Sequence, residues 1–153
     1  MHRDANHSAF WGAEWFYVTP AMTEKMVRRG SQYAGAFVDA KGNPLDGGKT
    51  YRLHMPPNIP AKEFWSFTVY DSQTRSMLQT NQQFPAVGNL TKGLLVNADG
   101  SVDVYFGPKA PVGKENNWMQ TVPGKGWSTL LRLYSPLEPW FNKTWRPGEI
   151  EPM

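Results

Sequence analysis

The sequence predicts an all-β fold, a β-sandwich preceded by one short α-helix. Three observations carry this. Phe64-Trp65-Ser66-Phe67-Thr68-Val69-Tyr70-Asp71 is the densest run of strand-forming residues in the chain, and aromatic and β-branched side chains fit a pleated, half-buried surface. Apolar residues recur at a period of two over Tyr51 to Met55 and Val102 to Phe106, the spacing of a strand with one buried face. The 14 glycines and 13 prolines are spread without a period, which suits many short strands joined by turns.

Met1 to Tyr17 holds His2 and His7 among polar residues, then Phe10, Trp11, Trp15, Phe16 and Tyr17. That aromatic cluster needs somewhere to bury: its own sandwich, a second copy, or a partner domain. The leading expectation is self-association through it, most simply across a two-fold axis. Thr19-Pro20 opens a helix, with threonine as N-cap and proline at the first helical position. Met22, Met26 and Val27 share its apolar face. Lys25, Arg28 and Arg29 complement its C-terminal dipole, and Gly30 stops it. The division is therefore 1–30 for aromatic segment and helix, and 31–153 for the sandwich.

Tyr33 to Val38 reads as a strand, followed by turns at 39–44 and 46–48. Tyr51, Leu53 and Met55 alternate with Arg52 and His54 in a second strand, which the prolines at 56, 57 and 60 end. In the central strand Trp65, Phe67 and Val69 share a wholly apolar face. Phe64, Ser66, Thr68 and Tyr70 share the other, which faces a ligand or another sheet. Asp71 to Leu94 reads as a long irregular stretch, and loops of that length are often functional. Leu94-Leu95-Val96 and Val102 to Phe106 read as a hairpin turned at Asp99-Gly100. A second loop covers Gly107 to Gly126. Trp127 to Tyr134 is the last clear strand, and the proline-rich tail from Pro136 wraps the sandwich in extended form.

The chain is one domain's length, and folding buries roughly 70% of its extended-chain surface. It has no cysteine, which excludes a disulfide framework and thiolate catalysis. No apolar leader and no run of membrane-span length occurs. The chain reads as soluble as given: cytoplasmic if whole, periplasmic or exported if a piece of a longer relative. Net charge is +3, and Arg28-Arg29 is the one adjacent basic pair. Nucleic-acid binding calls for a clustered basic stripe instead.

No motif fixes a reaction. Trp118 beside Asn116 and Asn117 suits a sugar ring, with the indole stacking and the amides bonding its hydroxyls. The plainer reading has Trp118 tucked under its loop. Tyr70 and Asp71 end the central strand. Asp71 and Asp103 are weighed as a carboxylate pair for acid–base work, against Asp71 as a turn residue and Asp103 as a solvent-facing one. Arg132, between Leu131 and Leu133, either snorkels from the sheet or pairs with Asp71 or Asp103. His54 is the one histidine beyond the N-terminal segment. With no clustered ligand spacing, no metal and no cofactor are expected. Ser66 lacks a nucleophile elbow, and 123–126 lacks a phosphate-loop pattern.

The order Leu45-Asp46-Gly47, Tyr51-Arg52-Leu53-His54, Phe64 to Asp71, Asp99-Gly100-Ser101, Asn117-Trp118, Leu131-Arg132-Leu133-Tyr134 and Thr144-Trp145 resembles a bacterial family. It is the domain-of-unknown-function family twelve-fourteen, over roughly Gly30 to Met153. The resemblance implies an antiparallel jelly-roll-like sandwich. It also implies an N-terminal partner, the domain-of-unknown-function family twelve-fifty-four, and export for many relatives. It supplies no catalytic residues. The functional expectation is a non-enzymatic binding or assembly module, for carbohydrate at the cell envelope. The alternative is a hydrolase with carboxylates at the loop end of the sandwich.

Overall fold

The computed structural model describes residues 30–82 and 86–153. The aromatic segment and helix expected before Gly30, with the self-association assigned to them, lie outside the described residues.

Among the described residues, eight strands form two four-stranded sheets. They are β1 (Ser31–Ala36), β2 (Tyr51–Met55), β3 (Ala61–Asp71), β4 (Ala86–Gly88), β5 (Val102–Gly107), β6 (Trp118–Gln120), β7 (Trp127–Pro136) and β8 (Ile150–Pro152). The first sheet has the order β1-β7-β3-β4 and the second β6-β5-β2-β8. All neighbours are antiparallel except β5 and β6, which run parallel. A four-residue helix, α1 (Glu138–Phe141), is the one α-helix among the described residues.

The two sheets share one core. Trp65, Phe67 and Val69 of β3 are buried, as the alternation predicts, with Leu131 and Leu133 of β7 beside them. Tyr51, Leu53 and Met55 of β2 and Val102, Val104 and Phe106 of β5 are buried from the other side. Rings interlock across the interface. Phe67 meets Phe106 edge-on at 6.3 Å, Phe106 stacks on Trp127 at 4.7 Å, and Tyr51 meets Trp127 edge-on at 5.6 Å. These offset and edge-on geometries suit the ring quadrupole. Trp127 Nε1 is a buried donor without a hydrogen-bond partner.

The expected irregular regions hold more structure than their composition suggests. Within 71–94, β4 pairs with β3, and Gly88 lies opposite Ser66. A side chain on Gly88 would collide with the Trp65 carbonyl, so the close approach requires glycine. Within 107–126, β6 joins β5. The tail is not wholly extended: α1 interrupts it, and Ile150–Pro152 becomes the edge strand β8.

Leu94 to Val96 is not a strand, so the expected hairpin has a single regular arm. The turn itself is present: Gly100 N donates to Asn97 O at 2.9 Å, with Gly100 at φ 90°. The missing arm is held by a side chain. Leu95 N donates to Asn117 Oδ1 at 2.9 Å, and Asn117 Nδ2 donates to Leu95 O at 3.0 Å. The amide thus satisfies the backbone groups that a partner strand would otherwise bond.

Candidate functional site

Alternation and register together compose the outer face of the second sheet. On β2, Tyr51, Leu53 and Met55 point inward, leaving Arg52 and His54 outward. On β5, Asp103 and Tyr105 point away from the core, although Tyr105 is only 6% exposed. Register aligns Trp118 with Tyr105, Tyr105 with Arg52, and Arg52 with Glu151. Residues directly opposite share one face. One continuous row therefore crosses all four strands: Trp118, Tyr105, Arg52, Glu151. The next row sets Asp103 opposite His54.

Side chains bond along these rows. Arg52 Nη2 lies 3.5 Å from Glu151 Oε1, both well exposed. His54 Nδ1 lies 2.8 Å from Asp103 Oδ1, with the imidazole side chain 47% exposed and the carboxylate 20%. Asp103 Oδ2 accepts from Asn97 Nδ2 at 3.2 Å. Asn97 Nδ2 also reaches Ser101 Oγ at 3.0 Å, and Ser101 Oγ donates to Asp99 Oδ1 at 2.5 Å. The Ser101 hydroxyl and backbone N–H hold the Asp99 carboxyl below its ordinary range. The Tyr105 hydroxyl is pushed up, first by burial and then by Asp103, with Arg52 opposing.

The sequence-derived candidates divide between this face and the other sheet. Trp118 is half-buried at the end of the row. Its Nε1 donates to Gly107 O at 2.9 Å, so the indole N–H is occupied. Asn117 is buried, and besides Leu95 it donates to Asp103 O at 2.8 Å. Both its amide protons are used inside the fold. Asn116 is exposed and donates to Gly93 O at 3.0 Å.

Tyr70 and Arg132 lie on the outer face of the first sheet. Arg132 pairs with neither Asp71 nor Asp103, because β7 turns it away from the core on the opposite sheet from Asp103. Its guanidinium sits 5.0 Å from the Tyr33 ring centroid and 5.5 Å from that of Tyr134, and Nη1 donates to the Tyr134 hydroxyl at 2.7 Å. Phe64 stacks on Tyr134 at 3.9 Å. Asp71 ends β3 and caps its turn, accepting from Gln73 N at 2.8 Å and Thr74 N at 3.2 Å. Lys125 Nζ adds a bond at 3.3 Å. The backbone donors first, then Lys125, hold the Asp71 carboxyl below its ordinary range. Asp71 and Asp103 thus sit on different sheets, one facing inward and one outward, each with its own partners. The structure does not bring them together as a pair.

Reasoning from sequence missed Arg52, Tyr105 and Glu151. Parity placed Arg52 on the polar face of its strand and gave no role to Tyr105. What joins them to Trp118 is strand order, and nothing in the local sequence reports it. Among the described residues no three His, Asp or Glu side chains are placed to hold a metal ion.

A family model described as protein of unknown function (DUF1214) matches residues 30–138. The chain belongs to the DUF1214 family. That match ends at 138, before the expected limit at Met153. No curated protein matches the chain. Among solved structures, the chain is similar to the VPA0106 protein of Vibrio parahaemolyticus, with TM-score 0.70 and 22% identity over 81% of this chain and 31% of that one. It is also similar to an uncharacterized protein of Burkholderia cenocepacia, with TM-score 0.51 and 22% identity over 97% of this chain and 38% of that one. The chain thus spans about a third of the length of each. At this identity the likeness concerns the fold. No helix among the described residues is long and apolar enough to cross a membrane.

Proposed function

We propose that this DUF1214 chain is a binding module that takes a carbohydrate on the outer face of its second sheet. The observation that carries the reading is the continuous row Trp118, Tyr105, Arg52 and Glu151, with His54 and Asp103 beside it. An aromatic flank followed by fixed donors and acceptors suits a ring with an apolar face and hydroxyls at its rim. Trp118 offers its ring rather than its N–H. Arg52 donates and Glu151 accepts. The face mixes charge signs, so it favours a neutral, hydroxyl-rich ligand over a strongly charged one.

Envelope association and contact with a partner domain stand as parts of the same proposal, the second in keeping with solved neighbours about three times this chain's length. Jelly-roll character is a further part, favoured by a chain that passes repeatedly between the two sheets. The hydrolase built on Asp71 and Asp103 draws no support from their placement. Calorimetric titration with a panel of neutral oligosaccharides tests the reading. Binding by the native chain, weakened roughly tenfold in Arg52→Ala by loss of a charged hydrogen bond, is the expected result. Absence of heat across the panel overturns it.

A further inference from the structure

We infer that His54 is a general base, oriented by Asp103 and Asn97, that hydrolyses an acyl ester carried by the ligand of this face. The inference rests on the binding reading and adds chemistry to it. Asp103 Oδ1 lies 2.8 Å from Nδ1, and its other oxygen accepts from Asn97 Nδ2 at 3.2 Å. Asn97 is itself fixed, because its N–H donates to Ser101 O at 2.8 Å and its carbonyl accepts from Gly100 N at 2.9 Å. A carboxylate at Nδ1 favours the tautomer with the proton on that nitrogen and leaves Nε2 as the acceptor. A base held by a carboxylate that is held in turn by an amide has the logic of a catalytic relay.

Among the described residues no serine or threonine hydroxyl bonds to His54. The nucleophile is therefore water. His54 Nε2 takes one proton from a water molecule while the water oxygen bonds the ester carbonyl carbon. The tetrahedral oxyanion collapses, the bond from that carbon to the alcohol oxygen breaks, and the departing alkoxide takes the proton back from Nε2. Acid and alcohol leave, and the imidazole returns neutral. Arg52, two residues along β2, offers a donor on the same face for the oxyanion. Asp103 and Asn97 touch neither ligand nor water and are positioning residues.

The test uses the full chain with 4-nitrophenyl acetate and an O-acetylated oligosaccharide as probes. Hydrolysis above the buffer rate is expected. His54→Gln should lower it by about 10²-fold or more, in the range of general-base contributions, with an unchanged circular dichroism spectrum. Asp103→Asn should lower kcat with KM little changed, which loss of stability alone does not do. Native rates equal to buffer, or a fully active His54→Gln, overturn the inference. Calorimetry with the unacetylated oligosaccharide separates the two proposals. Binding without hydrolysis removes the catalytic inference alone, and hydrolysis without binding removes the carbohydrate reading alone.

Discussion

His54 Nδ1 lies 2.8 Å from Asp103 Oδ1 across a register pair that joins β2 to β5. The contact follows from alternation on two strands whose buried residues lock the register. A one-residue slip would carry Leu53 outward and His54 into the core. The polar face of the second sheet is therefore fixed by the same packing that stabilises the fold.

The core carries the first prediction. Trp65 is 5% exposed and meets Phe67 edge-on at 6.2 Å. Trp65→Ala should destabilise the chain by about 3–5 kcal/mol through lost burial and a cavity. Urea denaturation measures it, and an unchanged midpoint would refute the face assignment of β3.

Asn117→Ala should cost on the order of 1–3 kcal/mol, because backbone groups of Leu95 and Asp103 lose their partner. Hydrogen exchange at the Leu95 amide should accelerate. If that amide keeps its protection, the side chain is not what holds the segment.

Asp71 gives a pH dependence. Its carboxyl is held below the ordinary range, chiefly by the Gln73 and Thr74 N–H groups. A lowered folded-state pKa stabilises above the unfolded value, about 3.9, and that stability is lost as pH falls through the folded value. Native protein should lose stability below about pH 4 more steeply than Asp71→Asn. Melting curves from pH 6 to pH 2 compare them, and equal slopes would contradict the capping role.

Arg132 stands over two tyrosine rings. Arg132→Met keeps the aliphatic stem and removes the charge, so the expected loss is about 1 kcal/mol. Chemical denaturation reads it, and a loss no greater than experimental error would show the ring contacts to be neutral.

These residues also show where the sequence was legible. The buried faces of β2, β3 and β5 follow from alternation alone, because a period of two with apolar residues on one side has a single consistent burial. The strands β4, β6 and β8 were not legible. Each has three residues, too few for a period, and each forms because a longer neighbour offers a free edge. Leu94 to Val96 has strand composition but no strand partner, since Asn117 occupies its backbone groups. Trp118 was legible as a candidate because a loop tryptophan beside two amides is chemically distinctive. Its neighbours Tyr105 and Arg52 were not, because their proximity depends on strand order and on a parallel pairing that no local pattern signals.

The central claim is that the outer face of the second sheet is the ligand surface. Amide and side-chain NMR shifts, followed while neutral oligosaccharides are added to the full chain, test it most directly. The account predicts perturbations at Trp118, Tyr105, Arg52 and His54, lost in Arg52→Ala. Perturbations confined to Tyr33, Phe64, Arg132 and Tyr134 on the first sheet, or none at saturating saccharide, would contradict it.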